Sequence, residues 1–171
     1  MEYVKGDITQ TDCNFIMHGC NTRGVMGAGV AKSIRAKWPG VFDEYKERLN
    51  EMRDFLSKVA PTTDFHLHIL GWVVPYQTPD RKVIANIMTQ PTYGRSGKHA
   101  RYMGIARGLN EFFRDNHWLE WAKQAGFDPR EKPIAIPKIG CTNGGLSWSF
   151  VKILFEEHEE KFDVNFRVYE L

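Results

Sequence analysis

The chain has 171 residues, of which 42% are hydrophobic, 13% aromatic and 26% charged. That balance excludes a disordered chain and a membrane span, and leaves room for one compact domain but not for two full ones. Twenty-three Lys and Arg against 21 Asp and Glu give a net charge of +2, too small to imply a surface that coats polyanions, so a nucleotide is expected only at a local site.

Met1 to Lys5 reads as a short strand ending at Gly6-Asp7, and Asn14 to His18 (NFIMH) as a second, buried one. The opening MEYVKGDIT has no secretory pattern, so a cytoplasmic chain is expected. After a glycine-rich stretch, Val30 to Trp38 suits a helix that stops at Pro39-Gly40. A longer helix follows, with Phe42, Tyr45, Leu49, Met52 and Leu56 on one apolar stripe. Phe65 to Val74 and Lys82 to Thr89 read as strands of a β-hairpin around the turn Thr78-Pro79-Asp80-Arg81. In the first of these, His66 and His68 would face one side and could share a metal, but no third ligand stands near.

Tyr102, Ile105, Leu109 and Phe112 recur at a helical period, and Trp118 to Ala125 extends that helix or starts another before Gly126. Trp118 and Trp121, near Lys123 and Arg130, could stack on single-stranded bases, though tryptophans at helical spacing more often serve a core. Pro133 to Ile139 is a short strand leading into the loop Gly140 to Gly145. Ser147 then suits an N-cap for a helix carrying Phe150, Val151, Leu154 and Phe155, and Val164 to Leu171 alternates as a final strand. Such alternation indicates an α/β sandwich whose largely parallel sheet is made mixed by the hairpin. Cys13, Cys20 and Cys141 are odd in number and lack pair spacing, so reduced thiols are expected.

Two loops lie where ligands of such sheets sit, between a strand and a helix. Asn21 to Gly29 (NTRGVMGAG) has glycines spaced G-x-x-G-x-G, which is neither the dinucleotide fingerprint nor a P-loop. Gly140-Cys-Thr-Asn-Gly-Gly145 repeats the geometry. Together they suit a diphosphate held by backbone N–H groups, the alternative being two ordinary turns.

Four ordered blocks, YVKGDIT, HGCNTRGVMGAGVAKSI with WPGVFDEY behind it, IPKIGCTNGGLSW and the terminal VYEL, resemble a macrodomain over nearly the whole chain. The nearest likeness is to the branch of yeast-type ADP-ribose 1″-phosphate phosphatases, terminal ADP-ribose glycohydrolases and antitoxins that remove ADP-ribose from DNA. The resemblance implies a three-layer α/β/α sandwich with a mixed, largely parallel sheet, one domain over 1–171 with elaborations near 71–82 and 116–132, and a cleft for ADP-ribose.

By the same resemblance Asp7 receives the adenine amino group with the Ile8 backbone beside it, and Tyr169 packs near the base. Gly27, Gly29 and Val30 wrap the diphosphate and distal ribose, and Gly140, Cys141, Thr142, Asn143, Gly144 and Gly145 form the opposing loop. Asn21 binds the distal ribose and helps position water. His18 stands where many macrodomains have asparagine and the yeast-type phosphatases have histidine, a group able to exchange protons with water or attack phosphorus. A histidine satisfied at a strand end is the alternative.

Three positions depart from the glycohydrolase patterns. Gln90 replaces the lysine that attacks the ribose carbon in the terminal ADP-ribose glycohydrolases and that the DNA-directed antitoxins also use, unless Lys98 or another base substitutes. Gly144 replaces an assisting acid, and Ala31 an aspartate of another hydrolase branch. The resulting expectation is a phosphatase acting on ADP-ribose 1″-phosphate through His18 and Asn21, with no metal and no cofactor. The alternatives are a glycohydrolase that removes ADP-ribose from protein or nucleic acid by a substrate-positioned water, and a reader that binds ADP-ribose without turnover. The expected partners are ADP-ribose or a derivative of it, free or carried on protein or nucleic acid, and no membrane; the sequence leaves oligomeric state open.

Overall fold

The structure, a computed structural model, describes residues 1–170; the expected final strand reaches Leu171, which lies outside them. Six strands form one sheet in the order β1-β6-β5-β2-β4-β3. They are β1 (Glu2–Lys5), β2 (Phe15–Asn21), β3 (Val73–Gln77), β4 (Val83–Gln90), β5 (Ile134–Pro137) and β6 (Phe166–Glu170). All neighbours run parallel except β3, which pairs antiparallel with β4 at the sheet edge. The hairpin is therefore present, and the fold is the three-layer sandwich with a mixed, largely parallel sheet.

The helices are α1 (Gly29–Lys37), α2 (Gly40–Val59), α3 (Phe65–His68), α4 (Tyr102–Phe113), α5 (His117–Ala125) and α6 (Trp148–Phe162). One core lies between the sheet and α1/α2, where Ile34, Trp38, Tyr45 and Leu49 meet Ile16, Ile84 and Met88. The other lies under α4, α5 and α6, where Leu109, Phe112, Trp118 and Phe155 meet Phe15, Met17 and Ile87. Successive side chains of β2 and β4 alternate between these cores, so both strands read as nearly continuous apolar runs.

Helix α4 packs unusually close to β4. A Cβ at Gly108 would overlap Ile87 Cγ2, and one at Gly104 would stand 2.9 Å from the Thr89 carbonyl oxygen. The two glycines thus let α4 lie flat on the strand and pin the loop before it over the carboxyl end of β4.

Two readings change. Phe65 to Val74 is not one strand: the Asp64 side chain accepts from the Leu67 N–H at 3.2 Å and caps the short helix α3, and the strand starts at Val73. A helix does not alternate faces, so His66 and His68 form no strand-face pair; His66 Nδ1 instead meets Thr22 Oγ1 at 2.8 Å. Trp118, at 1% exposure, is enclosed by Phe15, Phe112 and Phe113. It belongs to the core and offers no face to bases.

Candidate functional site

The carboxyl ends of the five parallel strands share one edge, and three loops rise from it: 22–28 after β2, 91–101 after β4 and 138–147 after β5. They enclose a cleft of about 460 Å³, a size usual for nucleotide-sized ligands.

Asn21 organises the first loop. Its Oδ1 accepts from the Arg23 and Val25 N–H groups at 2.9 and 3.3 Å, and its Nδ2 donates to the Val25 carbonyl at 2.7 Å. Beneath it, the Tyr45 hydroxyl donates to the Asn21 carbonyl at 2.5 Å and accepts from Gly24 N–H at 3.1 Å. One Nδ2 hydrogen of Asn21 stays open to the cleft that the residue lines. The loop then delivers Gly27, Gly29, Val30 and Ala31 to the wall. Helix α1 starts there with Ala28 at its N-cap and no side-chain cap bond, so its first N–H groups are left for an anion.

The second loop places Gly140, Cys141, Thr142, Asn143 and Gly144 on the opposite wall. Gly140 and Gly145 both have φ of +75°, a backbone region that favours glycine. The Gly144 carbonyl accepts from His99 and Ala100 N–H, each at 3.0 Å, and a Cβ at Gly144 would overlap the Gly140 carbonyl oxygen. No acidic side chain fits at that position. The loops meet where a Cβ at Gly29 would stand 3.2 Å from Asn143 Nδ2. Burial pushes the half-buried Cys141 thiol up to about 11, so it stays protonated at neutral pH.

His18 sits mid-strand in β2, on the α1/α2 side of the floor, with 1% exposure. Its Nε2 lies 2.7 Å from Asn86 Oδ1, while Asn86 Nδ2 donates to the Val74 carbonyl at 2.9 Å. The second contact fixes the Asn86 amide, so Nε2 of His18 carries a proton and is the donor. Burial lowers its pKa to about 4, against a smaller upward pull from Asn86. Cys20 Sγ lies 3.8 Å from Nδ1, and burial raises that thiol far above its usual range.

Asp7, Ile8, Gly145 and Tyr169 do not line this cleft. Asp7 and Tyr169 lie further along the same edge. Asp7 is exposed and caps a 3-10 turn over Ile8–Gln10 by accepting from Thr9 N–H at 2.8 Å, while Ile8 is buried. The Tyr169 hydroxyl donates to Thr11 Oγ1 at 2.8 Å. Sequence reasoning missed Asn86, the buried partner of His18, and the cleft-lining Thr89 and Lys138, with the loop residues Tyr93, Gly94 and Arg95 that close the cleft's third side. Gln90 does line the cleft, opposite Asn21 in register across a bulge in the β2/β4 ladder.

The Macro domain family model matches residues 17–154, and the chain belongs to that family. It is 25% identical over 150 residues to a DNA ADP-ribosyl glycohydrolase of Mycobacterium tuberculosis, covering 88% of this chain and 36% of that protein. The solved macrodomain of M. tuberculosis DarG superposes with a TM-score of 0.71 at 24% identity, over 99% of this chain and 97% of that one. Thermosipho africanus DarTG, solved in complex with ADP-ribose, superposes with a TM-score of 0.66 at 21% identity, over 98% of this chain and 41% of that one. The chain spans about two fifths of the length of the curated relatives first matched.

Proposed function

We propose that the cleft binds ADP-ribose and that the chain is an ADP-ribosyl glycohydrolase, releasing ADP-ribose from the macromolecule that carries it. The observation that carries this reading is the convergence of the two glycine loops at Gly29 and Asn143 over the Asn21–Gln90 pair. Backbone N–H groups of both loops and the open end of α1 suit a diphosphate. The cleft wall includes Arg95 and Lys138 and, among the described residues, no carboxylate. The names of the relatives, DNA ADP-ribosyl glycohydrolase and an ADP-ribose complex, support the same reading.

The reaction this arrangement suits is attack of a water on the anomeric carbon of the distal ribose. The bond to the carrier breaks, its electron pair leaves with the carrier, and the carrier takes up the proton that the water releases. Gln90 has a half-buried amide with no protein hydrogen-bond partner among the described residues, leaving its side-chain donor and acceptor free to orient that water beside the Asn21 N–H. The phosphatase expected from the sequence depended on His18; that residue lines the cleft floor but is 1% exposed, its Nε2 proton is held by Asn86, and its remaining nitrogen, Nδ1, is buried beside Cys20 Sγ, which weakens support for attack on a phosphate.

The test is release of free ADP-ribose from ADP-ribosylated carriers, with wild type against Gln90→Ala. The expected result is release by wild type and a loss of about tenfold to a thousandfold in turnover in the variant, with ADP-ribose affinity little changed. Tight ADP-ribose binding with no release from any carrier would leave a reader instead of an enzyme.

A further inference from the structure

We propose that the outer face of α4 and α6 is a self-association surface, on which a second copy of this chain docks about a two-fold axis running along the two helices.

The helices lie side by side and run the same way. Each follows a strand of the parallel set, and the contacts between them keep one offset. Tyr102 packs edge-on against Phe150, with ring centroids 6.2 Å apart, and Asn110 Oδ1 meets His158 Nε2 at 3.2 Å. A step of eight residues along α4 is therefore a step of eight along α6. Their inner sides are taken up by the core through Leu109, Phe112, Val151 and Phe155, while their outer sides stay open.

The open face is divided in two. Its upper half, next to the edge that bears the cleft, is apolar: Tyr102 and Met103 begin α4, and Phe150 and Ile153 stand in the first turns of α6. Met103 is 64%, Phe150 63% and Ile153 50% exposed. Among the described residues, these four make up nearly half of the nine large hydrophobic side chains left exposed. They present roughly 400–500 Å² of apolar surface, toward the upper end of the largest patch that a monomer commonly leaves in water. The lower half is charged, with opposite signs on the two helices. Arg107 and Arg114 are exposed on α4, and Glu156, Glu157 and Glu160 on α6. Arg114 is met by Glu111, and Glu156 by Lys152, each within its own helix. Arg107, Glu157 and Glu160 enter no ion pair among the described residues.

This distribution selects the occupant. A two-fold axis along the helices sets α4 of one copy opposite α6 of the other at the same height. The apolar halves then cover each other, Arg107 comes opposite Glu157 and Glu160 of the second copy, and every contact is made twice. An axis across the helices would set α4 on α4 and swing the charged halves apart. A basic or an acidic partner of another kind would be matched by one helix and repelled by the other. The apolar half alone supplies about half of the ~800 Å² that each partner of a stable dimer buries, and the charged half extends the contact as a polar rim. With the axis along the helices, the two clefts open on the same end of the dimer.

The experiment is sedimentation equilibrium of the whole chain over a range of concentrations, with melting temperature and ADP-ribose affinity measured in parallel. Wild type is expected to form a concentration-dependent dimer with a dissociation constant of about 1–100 μM. Phe150→Ser/Ile153→Ser is expected to weaken the dimer about tenfold or more, with melting temperature and ADP-ribose affinity held. Arg107→Glu alone, and Glu157→Arg/Glu160→Arg alone, are each expected to weaken it several-fold. An equimolar mixture of those two charge variants is expected to recover wild-type association, because every charge again faces its opposite in the mixed dimer. Wild type that stays monomeric at several hundred micromolar would overturn the proposal and leave the face to a different partner. Undiminished association of Phe150→Ser/Ile153→Ser, or charge variants that do not recover on mixing, would overturn it as well.

Discussion

His18 donates through Nε2 to Asn86 Oδ1 at 2.7 Å inside the sheet, and Asn86 in turn donates to the Val74 carbonyl at 2.9 Å. A histidine at the floor of a cleft thereby becomes a link between β2, β4 and β3, and its neutral form is the one the fold stabilises. Removing either partner leaves a buried polar group unmet, which costs about 1–3 kcal/mol beyond the lost packing. Asn86→Leu and His18→Ala are therefore each expected to destabilise by about 2–4 kcal/mol in urea unfolding, and the double variant by less than their sum. Full additivity would mean the two side chains do not act as a pair.

The same burial gives a pH dependence. With a folded pKa of about 4 against an ordinary 6.5, the unfolded chain takes up the His18 proton first as pH falls. This group's effect is absent above about pH 6.5, stability then declines with falling pH, and the loss levels off below about pH 4 at up to ~3 kcal/mol. His66 and His158 are also lowered by burial and add to the slope in the same direction. Urea titrations between neutral pH and pH 4 should show a shallower slope for His18→Phe than for wild type; parallel slopes would show that His18 titrates normally.

The second loop tolerates no side chain at Gly144, where a Cβ overlaps the Gly140 carbonyl oxygen and stands 2.7 Å from Ala100 Cβ. Gly144→Ala is expected to lower stability by roughly 1–3 kcal/mol and to weaken ADP-ribose binding at least several-fold. Gly144→Asp should do the same without adding a catalytic acid. A stable Gly144→Asp variant with faster turnover would contradict this geometry.

Tyr45 supports the first loop from α2, with its hydroxyl bridging the Asn21 carbonyl and Gly24 N–H. Tyr45→Phe removes that bridge together with the hydroxyl's 3.1 Å contact to Asn21 Oδ1. The expected cost is about 1–2 kcal/mol of stability, with a few-fold loss of ADP-ribose affinity as the glycines of loop 22–28 lose their anchor. Unchanged affinity in calorimetry would show that the loop is held elsewhere.

Much of this architecture was legible because both faces of the sheet are covered. Burial on two sides makes β2 and β4 apolar runs, and the stripe through Tyr45 and Leu49 marks the helix that covers one face. The two glycine loops were legible as well, since a positive φ at Gly140 and close approach at Gly29 leave glycine in the sequence. Other features were hidden for physical reasons. Gly19, Cys20 and Asn21 look like a polar loop, yet β4 pairs with them through the bulge. Phe65 to His68 has strand-like composition, and only the Asp64 cap turns it into a helix. Asn86 is one polar residue in an apolar run, and its partner lies 68 positions away.

The central claim is that the cleft cleaves the bond between ADP-ribose and its carrier and does not act on a terminal phosphate. The most direct test places an ADP-ribosylated oligonucleotide and ADP-ribose 1″-phosphate in one tube with the chain and follows both by ³¹P NMR. The expected result is conversion of the oligonucleotide-linked diphosphate signals to those of free ADP-ribose, while the phosphomonoester signal persists. Growth of inorganic phosphate with the oligonucleotide intact would contradict the claim and return His18 to the chemistry.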